Sequence, residues 1–460
     1  MSCEQHQNQR GFEWNKQTAI HLLPTDQIEI FQVKNKPVIV SETRTEISSN
    51  AGFLVLGGID RRLKLIDSVV DCLSDARKNR LGAVADERRI EHSLRDLLCQ
   101  RVYQMALGYE DGLDADDLRH DPILQLSVGK DDSLGSQPMM SRLENWVSKS
   151  DIYRGWKELV FLYARDFHKP GAPVVMEIDS TDDPVHGQLG LFNGYYYHHC
   201  FHPLLITEAG SGFPFGIILR NGPVGSAHRA RSILGRIIRL LREAIPEVQI
   251  LIKGDCAFGV ADLANWFDEI GVDYLLGLGG NAPLYKVVES LKEDVLREYE
   301  RDKKPIQRFA SFSHRVKTWD KTREVVSKVE HTPDGINIRF VVSSMKAEDP
   351  ERLYQSFHTR AKGIEAVIEQ MKNGLRFDKT ACHTKTPNQM RYFESALALI
   401  LHLKLIEKME KKLKERPTIQ TLIQKVLKVA AIVTRSFRRF LVQLSSVDPH
   451  TELLLFALRA

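Results

Sequence analysis

The spacing of apolar residues changes twice along the chain. In residues 62–108 and from Lys149 to Phe167, apolar residues recur at intervals of three and four, which predicts helices. Between residues 174 and 281 the pattern changes to short apolar runs bounded by Gly and Pro, which predicts the strands VVMEID, HHCFHPLLITEA, FPFGIILR, VQILIKGD and VDYLLGLG. Helical spacing returns in residues 348–374 and 386–444.

The order of these elements predicts a mixed α/β sheet flanked by helices. Two of the strands surround GSG, a hairpin signal, and helices such as ADLANWFDEIG lie between the later strands as crossovers. The stretch from Phe309 to Met345 is predicted to form several strands broken by TPDG. Near the N-terminus, KPVIVSE and GFLVLGGID are predicted as short strands.

Composition places the chain among ordinary globular proteins. Its 460 residues suffice for two to four domains, with 43% hydrophobic and 27% charged residues. The sequence has no run of eighteen apolar residues, and MSCEQHQNQRGFEW lacks the apolar segment of a signal peptide. The six cysteines are scattered without a C-x-x-C pair, so we expect a reduced, cytoplasmic protein with no disulfide framework.

Positive charge is concentrated near the C-terminus. Residues 401–460 carry twelve Lys and Arg against five Asp and Glu, while the whole chain has a net charge of +4. This pattern indicates either a polyanion partner such as nucleic acid or a solvated helix face. RSFRRF, at Arg435–Phe440, is predicted to lie on a helix that either faces DNA or carries its arginines at a buried boundary.

Two aspartates stand where apolar strands end. Asp179 follows the run VVMEI in VVMEIDSTDDPVHG, with Asp182 and Asp183 next to it, and Asp255 ends VQILIKGD. Such residues often only cap a turn. If the two strands lie side by side, however, the two carboxylates meet at one sheet edge, and Mg²⁺ prefers such oxygen ligands.

A third carboxylate candidate is Glu365, in RAKGIEAVIEQMKNGL. The helical period puts Glu365 and Lys372 on one face, either as an ordinary surface pair or as a metal ligand beside a phosphate-binding cation. Three carboxylates from two strands and a helix could hold two metal ions about 4 Å apart. One ion would activate the attacking oxygen and the other would stabilise the leaving oxygen of a phosphodiester.

These motifs, in this order, resemble the DDE transposases of bacterial insertion sequences. The resemblance rests on IDSTDDPVHG, NGYYYHHCFHPLLI, KGDCAFG with GVDYLLGLGGN, and RAKGIEAVIEQMKNGL followed by TACH. It implies an RNase H-like catalytic core in which Asp179, Asp255 and Glu365 are catalytic and bind two Mg²⁺ or Mn²⁺ ions. It also implies cleavage of double-stranded DNA at transposon ends and transfer of the 3′-hydroxyl into target DNA.

One branch of this family carries Tyr, Arg, Glu and Lys at fixed intervals. Glu365 and Lys372 fit the second half, which implies that Lys372 binds a DNA phosphate. The first half departs from the pattern: Arg360 is one residue too far from Glu365, and Phe357 stands where Tyr is expected. Arg360 is still the candidate for a second DNA contact. The family often has Asp two residues before the first catalytic Asp, where this chain has Glu177.

The resemblance also implies an organisation and partners. The expected regions are 1–150, mostly helical and binding DNA ends; 151–281, the first part of the RNase H-like core; 282–347, a β-rich insertion; 348–390, the core helix with the Glu; and 391–460, a basic helical region. A homodimer would act on paired terminal inverted repeats, in the bacterial cytoplasm at the nucleoid. Trp319, in the insertion, could stack on an unpaired base or pack inside its own sheet.

Several other interpretations stay open at this point. The His and Cys residues of YYYHHCFH could bind zinc or pack in a hairpin, GLGGN lacks the full nucleotide-binding pattern, and residues 62–108 could contain a helix-turn-helix. The protein could also be an inactive, transposase-derived DNA-binding protein, or a nuclease that does not join strands.

Overall fold

The computed structural model describes residues 22–23, 27–75, 77, 90–185, 189–380 and 382–459. Its strands are β1 (Leu22–Leu23), β2 (Gln27–Val33), β3 (Lys36–Ser41), β4 (Glu46–Ser48), β5 (Val174–Ser180), β6 (Asp183–Pro184), β7 (Leu191–Asn193), β8 (His198–Phe201), β9 (Leu204–Glu208), β10 (Pro214–Ile218), β11 (Ile250–Gly254), β12 (Asp273–Leu278), β13 (Ile306–His314), β14 (Arg323–Thr332), β15 (Gly335–Ser343), β16 (Ala431–Arg435) and β17 (Phe440–Leu444).

The helices are α1 (Phe53–Leu63), α2 (Leu65–Val70), α3 (Leu94–Ala106), α4 (Asp114–Leu118), α5 (Pro122–Val128), α6 (Gln137–Trp146), α7 (Lys149–Asp166), α8 (Ala230–Ala244), α9 (Ala261–Glu269), α10 (Ala282–Val287), α11 (Glu289–Asp302), α12 (Pro350–His358), α13 (Ile364–Gln370), α14 (Lys385–Leu413), α15 (Ile419–Leu422) and α16 (Thr451–Arg459). A 3-10 turn (Thr359–Lys362) precedes α13, and π-helical turns follow α13 (Met371–Leu375) and α15 (Ile423–Leu427).

A mixed sheet of eight strands forms the centre of the structure. Its order is β10-β9-β5-β11-β12-β15-β14-β13. β5, β11 and β12 are parallel, whereas β9 and β10 form the predicted hairpin, antiparallel to each other and joined to the sheet through β5. Counted in chain order within this sheet, its first five strands are β5, β9, β10, β11 and β12, and they lie side by side in the order three-two-one-four-five. This arrangement confirms the predicted mixed sheet of the RNase H-like class.

The strands expected to form an insertion continue the same sheet. β15 pairs antiparallel with β12, and β14 and β13 follow outward. Without them, the edge of β12 would expose unpaired backbone N–H and C=O groups. The β-rich stretch of residues 282–347 and the strands β5 and β9–β12 thus belong to one hydrogen-bonded sheet.

The long helix α14 fills the core on one side of this sheet. Most of its residues are buried, including Phe393 and Leu397. Phe393 meets Trp156 of α7 edge to face, with ring centroids 5.1 Å apart. Although α14 has 29 residues, no helix in the described part of the chain is both long and apolar enough to cross a membrane.

One local prediction near the N-terminus is wrong. GFLVLGGID forms the start of α1 instead of a strand, with Phe53, Leu56 and Asp60 buried at helical spacing. A short apolar run carries too few positions to separate the two periods. The helix-turn-helix considered for residues 62–108 falls partly on residues 78–89, which lie outside the described residues.

The helix predicted at RSFRRF is also wrong. Arg435 ends β16 and Phe440 begins β17, so the motif spans a hairpin turn. β16 also pairs with β4, and Arg435 forms an ion pair with Glu46 at 2.8 Å. The alternation of basic and aromatic residues therefore follows a strand pair, and the C-terminal region is not helical throughout.

Candidate active site

Asp179 and Asp255 lie side by side at one edge of the sheet. Ile178 of β5 is the register partner of Gly254 of β11, so the next residue of each strand is an aspartate. Parallel strands are about 4.8 Å apart, which brings the two carboxylates to the same place. The Asp255 turn also packs against β12, because a Cβ on Gly277 would lie 2.5 Å from the backbone nitrogen of Cys256. The predicted juxtaposition of Asp179 and Asp255 is present.

Glu365 reaches this edge because its helix is clamped to β5. It lies in the first turn of α13, and its neighbour Ile364 donates a backbone hydrogen bond of 2.8 Å to Glu177 Oε2. A Cβ on Gly363 would lie 2.0 Å from the same oxygen. Glu177 is buried in β5, and burial raises its pKa despite this hydrogen bond. The buried carboxylate therefore fixes where α13 begins.

Lys253 of β11 secures the segment that precedes α13. It is the register partner of Glu177 and is almost fully buried. Its Nζ donates to Ser356 O at 2.7 Å and to Thr359 Oγ1 at 3.1 Å. Sequence reasoning missed the positioning roles of Glu177 and Lys253. The available signal was a charged residue inside each of two apolar strands, since buried charges need partners.

The three carboxylates influence one another electrostatically. Burial, together with the charges of Asp255 and Glu365, raises the pKa of Asp179 to about 6, although Arg360 lowers it. The Arg360 guanidinium donates to Asp179 Oδ2 at 3.1 Å. Its Nε, also buried, has no hydrogen-bond partner among the described residues. Arg360 thus partly neutralises a cluster of negative charge at the sheet edge.

A cleft of about 390 Å³ opens beside these residues. Asp255, Arg360 and Glu365 line it, together with Phe357. Tyr354, the tyrosine nearest to the expected signature, also lines it but is 2% exposed and packs against Phe309, with ring centroids 5.4 Å apart. Tyr354 is therefore a residue of the protein core.

The residues at the edge match a hard divalent cation in their chemistry. Asp179, Asp255 and Glu365 offer only oxygen ligands, and the repulsion between their charges favours a cation between them. Within the described residues, however, no three Asp, Glu, His or Cys side chains converge on one point. The chemistry of the donor set fits Mg²⁺ or Mn²⁺.

Lys372 lies at the same end of the sheet but contacts a different aspartate. Its Nζ donates to Asp182 Oδ1 at 2.7 Å, and His198 Nε2 lies 3.1 Å from the other oxygen of Asp182. Although burial opposes it, the hydrogen bond from Lys372 holds the pKa of Asp182 below its usual value. Lys372 belongs to the π-helical turn after α13, which changes the spacing that a regular helix would give it relative to Glu365.

Asp183 has a structural role. It is fully buried and accepts hydrogen bonds from Tyr392 of α14 and from Thr380, the latter at 3.2 Å. Burial raises its pKa to about 7 despite these bonds. The three aspartates at this strand end therefore differ in their partners: Asp179 pairs with Arg360, Asp182 pairs with Lys372, and Asp183 anchors the turn to α14.

Trp319 packs inside the structure. Its side chain is 5% exposed, with the Arg323 guanidinium 5.1 Å from the ring centroid and His314 edge-on at 5.9 Å. An indole in this position cannot stack on a base without leaving its pocket. The geometry favours the packed alternative over a DNA contact.

The histidines and the cysteine of YYYHHCFH also make contacts within the protein. Cys200 is buried in β8, His198 contacts Asp182, and His202 Nδ1 lies 2.9 Å from Val224 O. These side chains are thus engaged in contacts with different parts of the protein. No metal-binding group of His, Cys, Asp and Glu is found in the part of the chain that the structure describes.

The strand order of the central sheet is that of the RNase H-like class of folds. The model of one family within that class, the transposase DDE domain group 1, matches residues 31–460. The chain therefore belongs to this family of transposase domains.

Comparison with other known proteins adds little to this assignment. No curated protein matches the chain. Among solved structures, it is similar to a cryo-EM structure of the piggyBac transposase synaptic complex with hairpin DNA, at 12% identity and a TM-score of 0.46. The match covers 83% of this chain and 81% of that one.

Proposed function

We propose that this protein cleaves DNA at the ends of a mobile element and joins the freed 3′-hydroxyl to target DNA. The observation that carries the proposal is the grouping of Asp179, Asp255 and Glu365 at one edge of an RNase H-like sheet. Membership of the DDE transposase family supports the same reaction class.

Asp179, Asp255 and Glu365 would hold two divalent ions, Mg²⁺ or Mn²⁺. Such ions polarise a phosphodiester and stabilise charge on the attacking and leaving oxygens. The protein's contribution is the placement of the three carboxylates. Glu177 and Lys253 provide it by fixing the segment before Glu365 against the sheet.

Arg360 and Lys372 would contact DNA phosphates after leaving their present partners. Each now pairs with an aspartate of the turn after β5, Arg360 with Asp179 and Lys372 with Asp182. A cation that enters beside Asp179 would compete with the Arg360 guanidinium for the same oxygen. In this proposal both side chains exchange a carboxylate for a phosphate, which forms hydrogen bonds of similar strength.

The proposal extends to assembly and location. Two copies acting on paired ends, in the cytoplasm and at the nucleoid of a bacterium, are implied by the resemblance to insertion-sequence transposases. Crosslinking of the protein on DNA with two ends would test the assembly: a crosslinked dimer is expected, and a monomer alone would contradict it.

A cleavage assay tests the proposed reaction. The substrate is the DNA that flanks the gene, incubated with wild type, Asp255→Asn or Asp334→Asn, with and without Mg²⁺. Asp334 is an exposed turn residue and serves as the matched control. Metal-dependent nicks and joined products are expected with wild type and Asp334→Asn and not with Asp255→Asn. Cleavage by Asp255→Asn at the wild-type rate would overturn the assignment.

A second candidate function is DNA binding without cleavage. The ion pair between Arg360 and Asp179 favours it, since it occupies one expected metal ligand. Binding without nicks in Mg²⁺ and in Mn²⁺ would support this function. Nicks without any joined product would instead indicate a nuclease.

A further inference from the structure

A second groove, with no lining residue in common with the cleft, opens near the end of β5 that precedes Asp179's turn, where Arg220 donates to Ser180. It runs between α7 and α8, past the end of β10 and the start of α14. Two adjoining cavities of about 220 and 470 Å³ form it, and they share Trp156, Arg220 and Arg236 among their walls. None of the residues considered so far as metal ligands or phosphate contacts lines it.

All the charged groups that line this groove are positive. No Asp or Glu of the described chain contributes to either cavity wall. Six Lys and Arg side chains contribute, and within the described residues none of them forms an ion pair. The six are Lys149, Lys157, Arg220, Arg229, Arg236 and Lys385.

Arg220 carries an uncompensated charge at the mouth of the groove. The side chain is 6% exposed, and among the described residues its guanidinium donates only to neutral acceptors: His202 O at 2.9 Å, Ser226 O at 2.6 Å, His228 O at 3.1 Å and Ser180 Oγ at 2.7 Å. Burial lowers its pKa to about 10. A buried arginine without a carboxylate partner creates a local preference for an anion.

The mouth of the groove lies close to the catalytic carboxylates. β10 runs parallel to β5, since both are antiparallel to β9, so the two strands end at the same edge. Arg220 links the two strand ends through Ser180, the residue after Asp179. The ends of β10 and β5 are two strand spacings apart, about 10 Å. This is about the rise of three nucleotides along the axis of a DNA helix.

The amide side chains of the groove are already used. Gln389 accepts from Leu219 N and donates to Ile217 O, both at the edge of β10. Asn221 accepts a hydrogen bond from Lys385 Nζ. Asn and Gln are the side chains that recognise adenine, so their engagement favours contacts with phosphates over recognition of bases.

We propose that this groove binds the sugar–phosphate backbone of DNA beside the cleavage point, independently of base sequence. The inference rests on the proposed function, because DNA is the substrate assigned there. It adds a surface, on the α7–α8 side of the sheet, that would hold the DNA leading to or from the carboxylates. An acidic protein segment is the other occupant that positive charge would attract, and the test separates the two.

The test compares charge reversals on the two walls of the groove with one outside it. Arg236→Glu alters the α8 wall and Lys385→Glu alters the start of α14. Arg239→Glu is the matched control: Arg239 is exposed on the same helix as Arg236, lines neither cavity, and makes no hydrogen bond or ion pair within the described residues. The measurement is fluorescence anisotropy with labelled duplexes of two unrelated sequences over a series of salt concentrations.

Each groove variant is expected to bind both duplexes about tenfold more weakly than Arg239→Glu at low salt. The plot of log K against log salt concentration has a negative slope, and its magnitude should become smaller by about 1 for each phosphate that the variant no longer binds. Equal affinities for all three variants would overturn the inference in favour of another occupant. Loss of affinity for only one duplex would overturn its sequence-independent part.

Cleavage by the same preparations distinguishes this inference from the proposed function. If wild type cuts and the groove variants bind DNA normally, the groove assignment fails and the transposase function stands. If the groove variants lose binding and wild type does not cut, the groove assignment stands and the cleavage proposal fails. Thermal unfolding of each variant shows that a loss of binding is not a loss of fold.

Discussion

The buried carboxylate of Glu177 accepts a 2.8 Å hydrogen bond from the backbone N–H of Ile364, the residue before Glu365. Glu177 lies two residues before Asp179 on β5. One strand therefore supplies the first carboxylate of the site directly and fixes the position of the third through a contact 187 residues away in sequence. This contact makes the geometry of the active edge depend on a residue that does not face the cleft.

A side chain at position 363 would collide with the buried carboxylate of Glu177. A Cβ there would lie 2.0 Å from Glu177 Oε2, so Gly363→Ala should displace the start of α13 and Glu365 with it. We expect a loss of cleavage of about tenfold or more, with little change in DNA binding, because small displacements of catalytic groups are costly. Cleavage rates and anisotropy on the same DNA measure the two effects.

Gly58→Ala is the control for this substitution. Gly58 lies in α1, and an added Cβ there would meet nothing within 4 Å. Its cleavage rate should match wild type. If Gly363→Ala cleaves as fast as Gly58→Ala, Glu177 does not position Glu365.

Lys253 should matter for activity in a similar way. Lys253→Met keeps an unbranched side chain, one atom shorter, but removes the hydrogen bonds to Ser356 and Thr359. The 3-10 turn before Glu365 would then be held less firmly, so cleavage should fall while the fold is retained. The exposed Lys346 gives the matched Lys→Met control, and equal cleavage by the two variants would contradict the positioning role.

Removing Arg360 should move the pH dependence of cleavage upward. Burial raises the pKa of Asp179 to about 6 even with the lowering effect of Arg360. In Arg360→Ala the carboxyl would ionise at a higher pH, and only the ionised form binds a cation. A cleavage profile between pH 5 and 9 measures the shift. Lys362→Ala, in the same 3-10 turn, should leave the profile in place; an unchanged midpoint in Arg360→Ala would be the contrary result.

Replacing Asp183 and replacing its neighbour Asp182 should change the stability of the fold at pH 8 in opposite directions. The pKa of Asp183 rises from 3.8 to about 7 on folding, so its contribution to stability is present below pH 3.8 and is lost as the pH rises through 7. Asp183→Asn should therefore be more stable than wild type at pH 8, by on the order of 2 kcal/mol, with no gain near pH 4.

Asp182 has the opposite sign because its pKa is lowered in the folded protein. Its contribution is present above the unfolded pKa of 3.8 and is lost as the pH falls through the lower folded value. Asp182→Asn should therefore be less stable than wild type at pH 8. Urea unfolding at pH 4 and pH 8 measures both variants; the same sign for both at pH 8 would refute the account.

Much of the candidate site could be predicted from the sequence. Asp179 and Asp255 end apolar runs, and strand ends are visible in local spacing. That the two aspartates lie close together then follows from the rule that parallel strands joined by crossovers end at the same edge of the sheet. Glu365 could be placed only through the resemblance, since a glutamate on a helix carries no local signal of its role.

The contacts that complete the site could not be predicted. Glu177 and Ile364 are far apart in sequence, and the hydrogen bond between a side chain and a backbone N–H leaves no periodic trace. The pairing of β15 with β12 depends on which strand edge remains free once the sheet has formed. RSFRRF shows the same limit, because β4, the partner of β16, lies near the other end of the chain.

The most direct test of the central claim compares two glutamates of one helix. Glu365 and Glu369 both lie exposed on α13, one turn apart, and only Glu365 lines the cleft. We expect Glu365→Gln to lose Mg²⁺-dependent cleavage of the flanking DNA while it still binds that DNA, and Glu369→Gln to cleave like wild type. Equal cleavage by the two variants would contradict the claim that Asp179, Asp255 and Glu365 form the catalytic site.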